Sequence, residues 1–210
     1  MPLELLSFIV ATVLILVVPG PDFVLVTRNT LVQGKRAGFA TMAGILAGLL
    51  GHTTLSVFGL SALIAANAHA LSVLKLAGAT YLSALGILSL RGTSHADHEA
   101  TAVPSRETGA APGGSPFVQG ALNNILNPKA LIFFLSFLPQ FINPDAPALP
   151  QTTLLGTTTI VLAALWWTAF ITAMGSGLQL LHRRAVRAVI DKLSGIVLIG
   201  LGARLFTARL

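Results

Sequence analysis

From Phe39 to Ala66 the chain runs for 28 residues without a formal charge. A helix crosses the hydrocarbon core of a bilayer with roughly 20 mostly apolar residues. Five further runs have the length and apolarity of spans: Leu3–Val26, Leu71–Leu90, Pro116–Ile142, Thr152–Leu181 and Val189–Phe206. Only 10% of the 210 residues are charged, against about 25% in an ordinary soluble domain. That balance excludes a soluble globular enzyme, a disordered chain and a nucleic-acid binder. The fold class expected is an all-α integral membrane protein with six transmembrane helices.

Between the third and fourth runs, residues 92–115 are rich in Gly, Ser, Thr, Ala, Pro and His. This stretch reads as a flexible cytoplasmic linker. His95 and His98 flank Asp97 within it, an arrangement read as solvated rather than metal-binding. The chain has no cysteine, hence no disulfide framework, thiol nucleophile or thiolate metal site. No cofactor is expected. The first run lacks a basic leader and a small-residue cleavage site, so it reads as a retained helix.

Basic residues orient the spans. Nine of the 13 Lys and Arg residues fall in the 1–2, 3–4 and 5–6 connections. Three (Lys75, Arg204 and Arg209) fall on the other side, and Lys129 lies inside a span. The positive-inside rule then places both termini outside and the three basic connections in the cytoplasm.

Residues 1–91 and 116–210 are weakly alike. Each half opens with a span in which a proline is followed at once by a charge, Pro21-Asp22 and Pro128-Lys129. Each closes with a span that starts on Lys-Leu-x-Gly, at Lys75 and at Lys192. An odd number of spans per copy inverts the second copy in the membrane. Two inverted three-helix repeats with broken first helices are expected, a pattern of secondary transporters.

The breaks carry the chemistry. Pro19-Gly20-Pro21 removes two helical donors, and the freed carbonyls must face protein or a wet cavity. Asp22 follows directly, and a carboxylate at that depth costs ~2.5–3.5 kcal/mol even on the mildest scale. Asp22 reads either as the cap of a restarting helix near the interface or as a functional charge. Lys129 lies roughly 18 Å into its span, too deep to snorkel. Its expected partner is Asp22, as an inert register-fixing pair or as one half of a zwitterion site. In that site Asp22 takes an ammonium or a proton, and Lys129 takes a carboxylate. Asn123, Asn124 and Asn127 add amides, with Asn123 and Asn127 on one helix face.

Lesser candidates surround this core. His52 reads as a proton shuttle or as a helix–helix hydrogen bond. Gly44 and Gly48 form a G-x-x-x-G seam for close helix packing, and they make a homodimer a further expectation. Tyr81, Trp166, Trp167 and Gln140 are candidate cavity-lining residues; the two tryptophans read as lining the cavity or as packing, and Gln140, after Pro139, as the cap of a gate near the outer face. No paired carboxylates, H-E-x-x-H or Ser/His/Asp grouping occurs in or beside the spans, so no enzyme is expected.

Pro19-Gly20-Pro21-Asp22, followed by Arg28, Gly34, Arg36, Gly38 and Gly44-x3-Gly48, resembles the opening signature of the LysE/RhtB family of amino-acid exporters. Leu76-Ala77-Gly78-Ala79-x-Tyr81-Leu82 is similar to that family's third-span motif. Gly120-x6-Asn127-Pro128-Lys129, Phe133-Phe134 and Pro139-Gln140-Phe141 are similar to its fourth. The resemblance covers the whole chain. It implies a secondary exporter of amino acids or close derivatives, driven by proton antiport, in a bacterial inner membrane. The expected site is Asp22, Lys129, Asn124 and Asn127 with Pro19, Gly20 and Pro21, and Asp22 and His52 are the candidates for proton coupling. The rival expectations are an exporter of another solute or cation, and a membrane scaffold with an inert ion pair.

Overall fold

The computed structural model describes residues 2–66, 114–143 and 146–174, together with single helical residues at 73, 76, 80, 87 and 196. The expected third and sixth spans, the linker and Tyr81 lie largely or wholly outside the described residues. The described residues form helices and no strands: α1 (Pro2–Val17), α2 (Pro21–Gln33), α3 (Lys35–Ala66), α4 (Pro116–Ile125), α5 (Pro128–Ile132) and α6 (Ala148–Met174). A π-helical turn, Phe133–Phe137, and a 3₁₀ turn, Leu138–Phe141, extend α5.

Two helical stretches, Lys35–Gly59 and Ala148–Met174, are long and apolar enough to cross a membrane on their own. Two further spans arise if each bent pair counts as one. Glu4–Val17 and Pro21–Gln33 meet at 56°, and Pro116–Ile125 and Pro128–Phe141 meet at 49°.

Each restart is written in the sequence as a cap followed by proline. Gly20-Pro21 opens α2, Ser115-Pro116 opens α4 and Asn127-Pro128 opens α5. Proline at the first helical position gives up an N–H that would have no partner there anyway. The Ser115 hydroxyl accepts from the Val118 N–H, and the Asn127 side chain accepts from the Lys129 N–H at 2.9 Å.

Two boundaries differ from expectation. The first broken span continues to Gln33 instead of ending near Val26, and α3 starts at Lys35 instead of Phe39. The basic stretch that reads as a loop is helical on both sides of one residue, Gly34, at φ 86°. Glycine tolerates that left-handed geometry; Arg28 is exposed along α2, and Lys35 and Arg36 are exposed at the start of α3.

The helices are apolar outward and more polar inward. On α6, Leu154, Val161 and Leu165 form an exposed stripe at helical spacing, while Thr152, Thr159, Ala163 and Trp167 are buried. On α3, Leu50, Leu55 and Phe58 face out, and Thr41, Ile45, His52 and Ser56 are buried.

Helix α3 holds α4 at close quarters. A Cβ on Gly44 would run into the Phe117 carbonyl, and one on Gly48 would meet the Asn124 side chain. A Cβ on Gly120 would strike the Thr41 carbonyl. The Gly44/Gly48 seam is thus filled from within the chain and is not offered to a second copy. Aromatic rings pack on either side of the bundle centre. Phe8, Phe133, Phe137 and Phe141 form one group, with centroids 5.0–6.2 Å apart. Phe23, Trp166, Trp167 and Phe170 form the other.

Candidate functional site

The two breaks meet. At the first, Pro19 and Pro21 carry no N–H, so the carbonyls of Ile15 and Val17 lose their donors four residues on. The chain turns through Gly20, and the Val18 carbonyl leaves the helix ladder and accepts from Lys129 Nζ at 2.8 Å. At the second, Pro128 deprives the Asn124 carbonyl of its donor. His52 Nε2 lies 3.1 Å from that oxygen, and the Asn127 N–H donates to it at 3.1 Å. A carbonyl can only accept, so Nε2 carries the proton. His52 thereby links α3 to the end of α4.

The charges exchange partners across the breaks. The Asp22 carboxylate, in the first turn of α2, accepts from Asn123 Nδ2 at 2.7 Å on one oxygen and from Asn124 Nδ2 at 2.9 Å on the other. Both asparagines precede the second break. The Lys129 ammonium, just after the second break, donates to a carbonyl that precedes the first. Each charge is thereby seated on the half-helix that enters the opposite break. Asp22 also complements the positive N-terminal end of α2. A Cβ at Gly20 would lie 3.8 Å from Lys129 Nζ, an ordinary contact, so the clasp does not need a glycine there for space.

The asparagine geometry departs from expectation in one respect. A four-residue spacing predicts that Asn123 and Asn127 share a helix face. The helix ends at Ile125, the register is lost, and the adjacent Asn123 and Asn124 grip Asp22 instead. Asn127 caps α5.

Around the clasp is a cavity of about 60 Å³. Roughly 10–15 Å³ by this measure holds one water, so the space accommodates a handful of water-sized groups, on the scale of a small amino acid. Asp22, Asn124, Asn127, Lys129 and Gly20 lie on its wall, with Thr12, Phe23, Ile45, Phe133 and Trp167 among the others. Of the two tryptophans, Trp167 borders the cavity. Trp166 stacks on Phe170 at 6.1 Å, and its indole N–H is buried without a hydrogen-bond partner among the described residues. Gln140 is also away from the wall and donates to the Ser136 carbonyl at 2.8 Å. His52 stands behind the wall, stacked on Phe134 at 5.5 Å.

A second polar assembly has no place among the expectations. Asn29, 0% exposed, donates to Thr41 Oγ1 at 2.9 Å and to Gln119 Oε1 at 3.1 Å. It ties α2, α3 and α4 together between the clasp and the Gly34 junction. A buried asparagine needs such partners, and they come from segments 12 and 90 residues away. No local pattern of residues pairs them; the bonds follow from how the three helices pack.

The family model of LysE type translocators matches residues 13–209. Among similar proteins is an uncharacterized membrane protein, YrhP, of Bacillus subtilis (strain 168), 30% identical over 96% of this chain and 97% of that one. The homoserine/homoserine lactone efflux protein of Salmonella typhi is 30% identical over 97% of this chain and 96% of its own. The leucine efflux protein of Salmonella choleraesuis (strain SC-B67) is 27% identical over 96% and 93%. No solved structure matches the chain. With its proline-broken helices clasped at one cavity and the family match running over nearly its whole length, the chain belongs to the LysE family of membrane translocators.

Proposed function

We propose that this protein exports amino acids or close derivatives across the cytoplasmic membrane of a bacterium, by proton antiport with alternating access. The observation that carries the reading is the clasp. One carboxylate and one ammonium stand on the wall of one cavity, each held by neutral groups that a zwitterion can replace. A substrate ammonium takes the place of the asparagine amides at Asp22. Its carboxylate takes the place of the Val18 carbonyl at Lys129. Both exchanges trade a neutral partner for a charged one, and charge-assisted hydrogen bonds are roughly twice as strong as neutral ones. An incoming proton on Asp22 removes the charge that holds the ammonium, which couples proton entry to substrate release. Two inverted three-helix repeats, 1–91 and 116–210, rock about the proline breaks to expose the cavity to either side, and Asn127, Pro19, Gly20 and Pro21 shape the hinge. The relatives that export homoserine, homoserine lactone or leucine support a small, neutral amino acid as substrate.

The test is efflux from cells loaded with a panel of amino acids, using Asp22→Asn and Lys129→Ala variants matched for membrane insertion. Each variant is expected to lose roughly 10- to 100-fold in export rate, the worth of a charged hydrogen bond. Collapsing the proton gradient is expected to stop efflux by the unaltered protein. Full-rate export by both variants would favour an inert pair and remove the site assignment.

A further inference from the structure

A buried threonine on the cavity wall does not use its hydroxyl as its neighbours do. Thr30, Thr41, Thr53, Thr152 and Thr159 are all buried, and each donates to the carbonyl four residues back, at 2.7–2.9 Å. That bond is the ordinary way for a threonine inside a helix to satisfy its hydroxyl. Thr12 is 1% exposed and lies on α1, where the equivalent carbonyl is that of Phe8. Its Oγ1 has no hydrogen-bond partner among the described residues. A buried hydroxyl left unpaired is costly, of order 1–3 kcal/mol, and such a group on a cavity wall is a place for a ligand atom.

Its position suits a substrate side chain. Thr12 precedes Val18 by six residues, about 9 Å along a helix axis, and Val18 marks where Lys129 is held. Thr12 and Lys129 border the same cavity, so a small amino acid held by its carboxylate at Lys129 shares that space with the Thr12 hydroxyl. The wall nearby is apolar, with Ile15, Leu16, Ile45, Leu49 and Phe133. Thr159, also on the wall, already spends its hydroxyl on the Leu155 carbonyl.

We propose that Thr12 determines substrate specificity: its hydroxyl hydrogen-bonds an oxygen on the side chain of a small neutral amino acid, and so favours hydroxylated substrates over aliphatic ones of the same shape. This deepens the proposed function and rests on it.

The experiment uses the full chain in proteoliposomes and compares two near-isosteric pairs, threonine with valine and homoserine with norvaline. The unaltered protein is expected to move the hydroxylated member of each pair about tenfold faster, one net hydrogen bond's worth. Thr12→Val is expected to bring both ratios close to one while still moving valine and norvaline, which also proves it folded. Thr12→Ser is expected to keep the preference. Equal rates within each pair for the unaltered protein, or an unchanged ratio in Thr12→Val, would overturn the role of Thr12 while leaving amino-acid export standing. Movement of none of the four by the unaltered protein would overturn export of small neutral amino acids, and this inference with it.

Discussion

The two broken spans bend by similar angles, 56° and 49°, but by different means. The first is a break of the backbone. Two prolines and a glycine interrupt it, Gly20 caps α2 with extended φ and no side-chain bond, and regular α-helix stands on either side. The second is a break held by side chains. Asn127 caps α5, Asn124 presents its carbonyl to His52, and only five α-helical residues follow before a π-turn that buries Phe133, Phe134, Ser136 and Phe137. The charges differ in the same sense. Asp22 sits where the helix dipole welcomes an acid, whereas Lys129 is a base in a first turn, where the dipole opposes it. The Val18 carbonyl that the first break supplies accepts from the Lys129 ammonium. The first span acts as a joint and the second as a socket, and neither is complete alone.

The largest effect expected from testing that contrast lies in what each span leans on. Gly44 meets backbone of α4, the Phe117 carbonyl and the Ala121 nitrogen, which cannot rotate away. Gly38, where α3 meets α2, faces side chains of Thr30 and Ile171. Gly44→Leu is expected to destabilise by about 1–3 kcal/mol or more through overpacking, and Gly38→Ala by less. Thermal unfolding in detergent with size-exclusion monitoring compares them, and equal losses would mean that the second span is no more rigidly seated than the first.

Next in size is the restoration of donors. Pro19→Ala with Pro21→Ala returns two helical N–H groups and draws the chain toward a continuous helix, which takes the Val18 carbonyl from Lys129. Efflux is expected to fall about tenfold, as for a lost charged hydrogen bond, and the 56° bend to open. Pro128→Ala is expected to change both less, because the Asn127 cap and the π-turn remain. Spin-label distances across each break read the angles directly, helped by a native chain without cysteine. Straightening of both spans alike would dissolve the distinction between joint and socket.

The smallest contrast is between the caps. Asn127→Ala is expected to cost about 1 kcal/mol, a few degrees in Tm for a chain of this size. Gly20→Ala removes no side-chain bond and places its Cβ 3.7 Å from Lys129 Cδ, an ordinary contact. It is expected to stay within about 0.5 kcal/mol.

Features that depend on local chemistry are legible in the sequence. Proline beside a charge inside an apolar run marks Asp22 and Lys129, and small residues four apart mark the α3 seam. Features that depend on which face meets which are not. Trp166 and Trp167 differ by one residue, about 100° around a helix, and only the packing of α6 against its neighbours decides that Trp167 reaches the cavity. The stretch between Val26 and Phe39 reads as a loop because its charges are dense, yet charges on exposed helix surface need no loop. Thr12 carries no signal at all: its distinction is a hydroxyl without a partner among the described residues.

The single-residue junction at Gly34 has a mechanical consequence. A one-residue connection has two soft torsions and no slack. A rotation of α2 about its own axis would be passed to the start of α3. That helix is about 48 Å long at 1.5 Å per residue, and it bears the glycine seam and His52 along its length. A torque on α2 would therefore be delivered, through a glycine, to the helix against which α4 is packed.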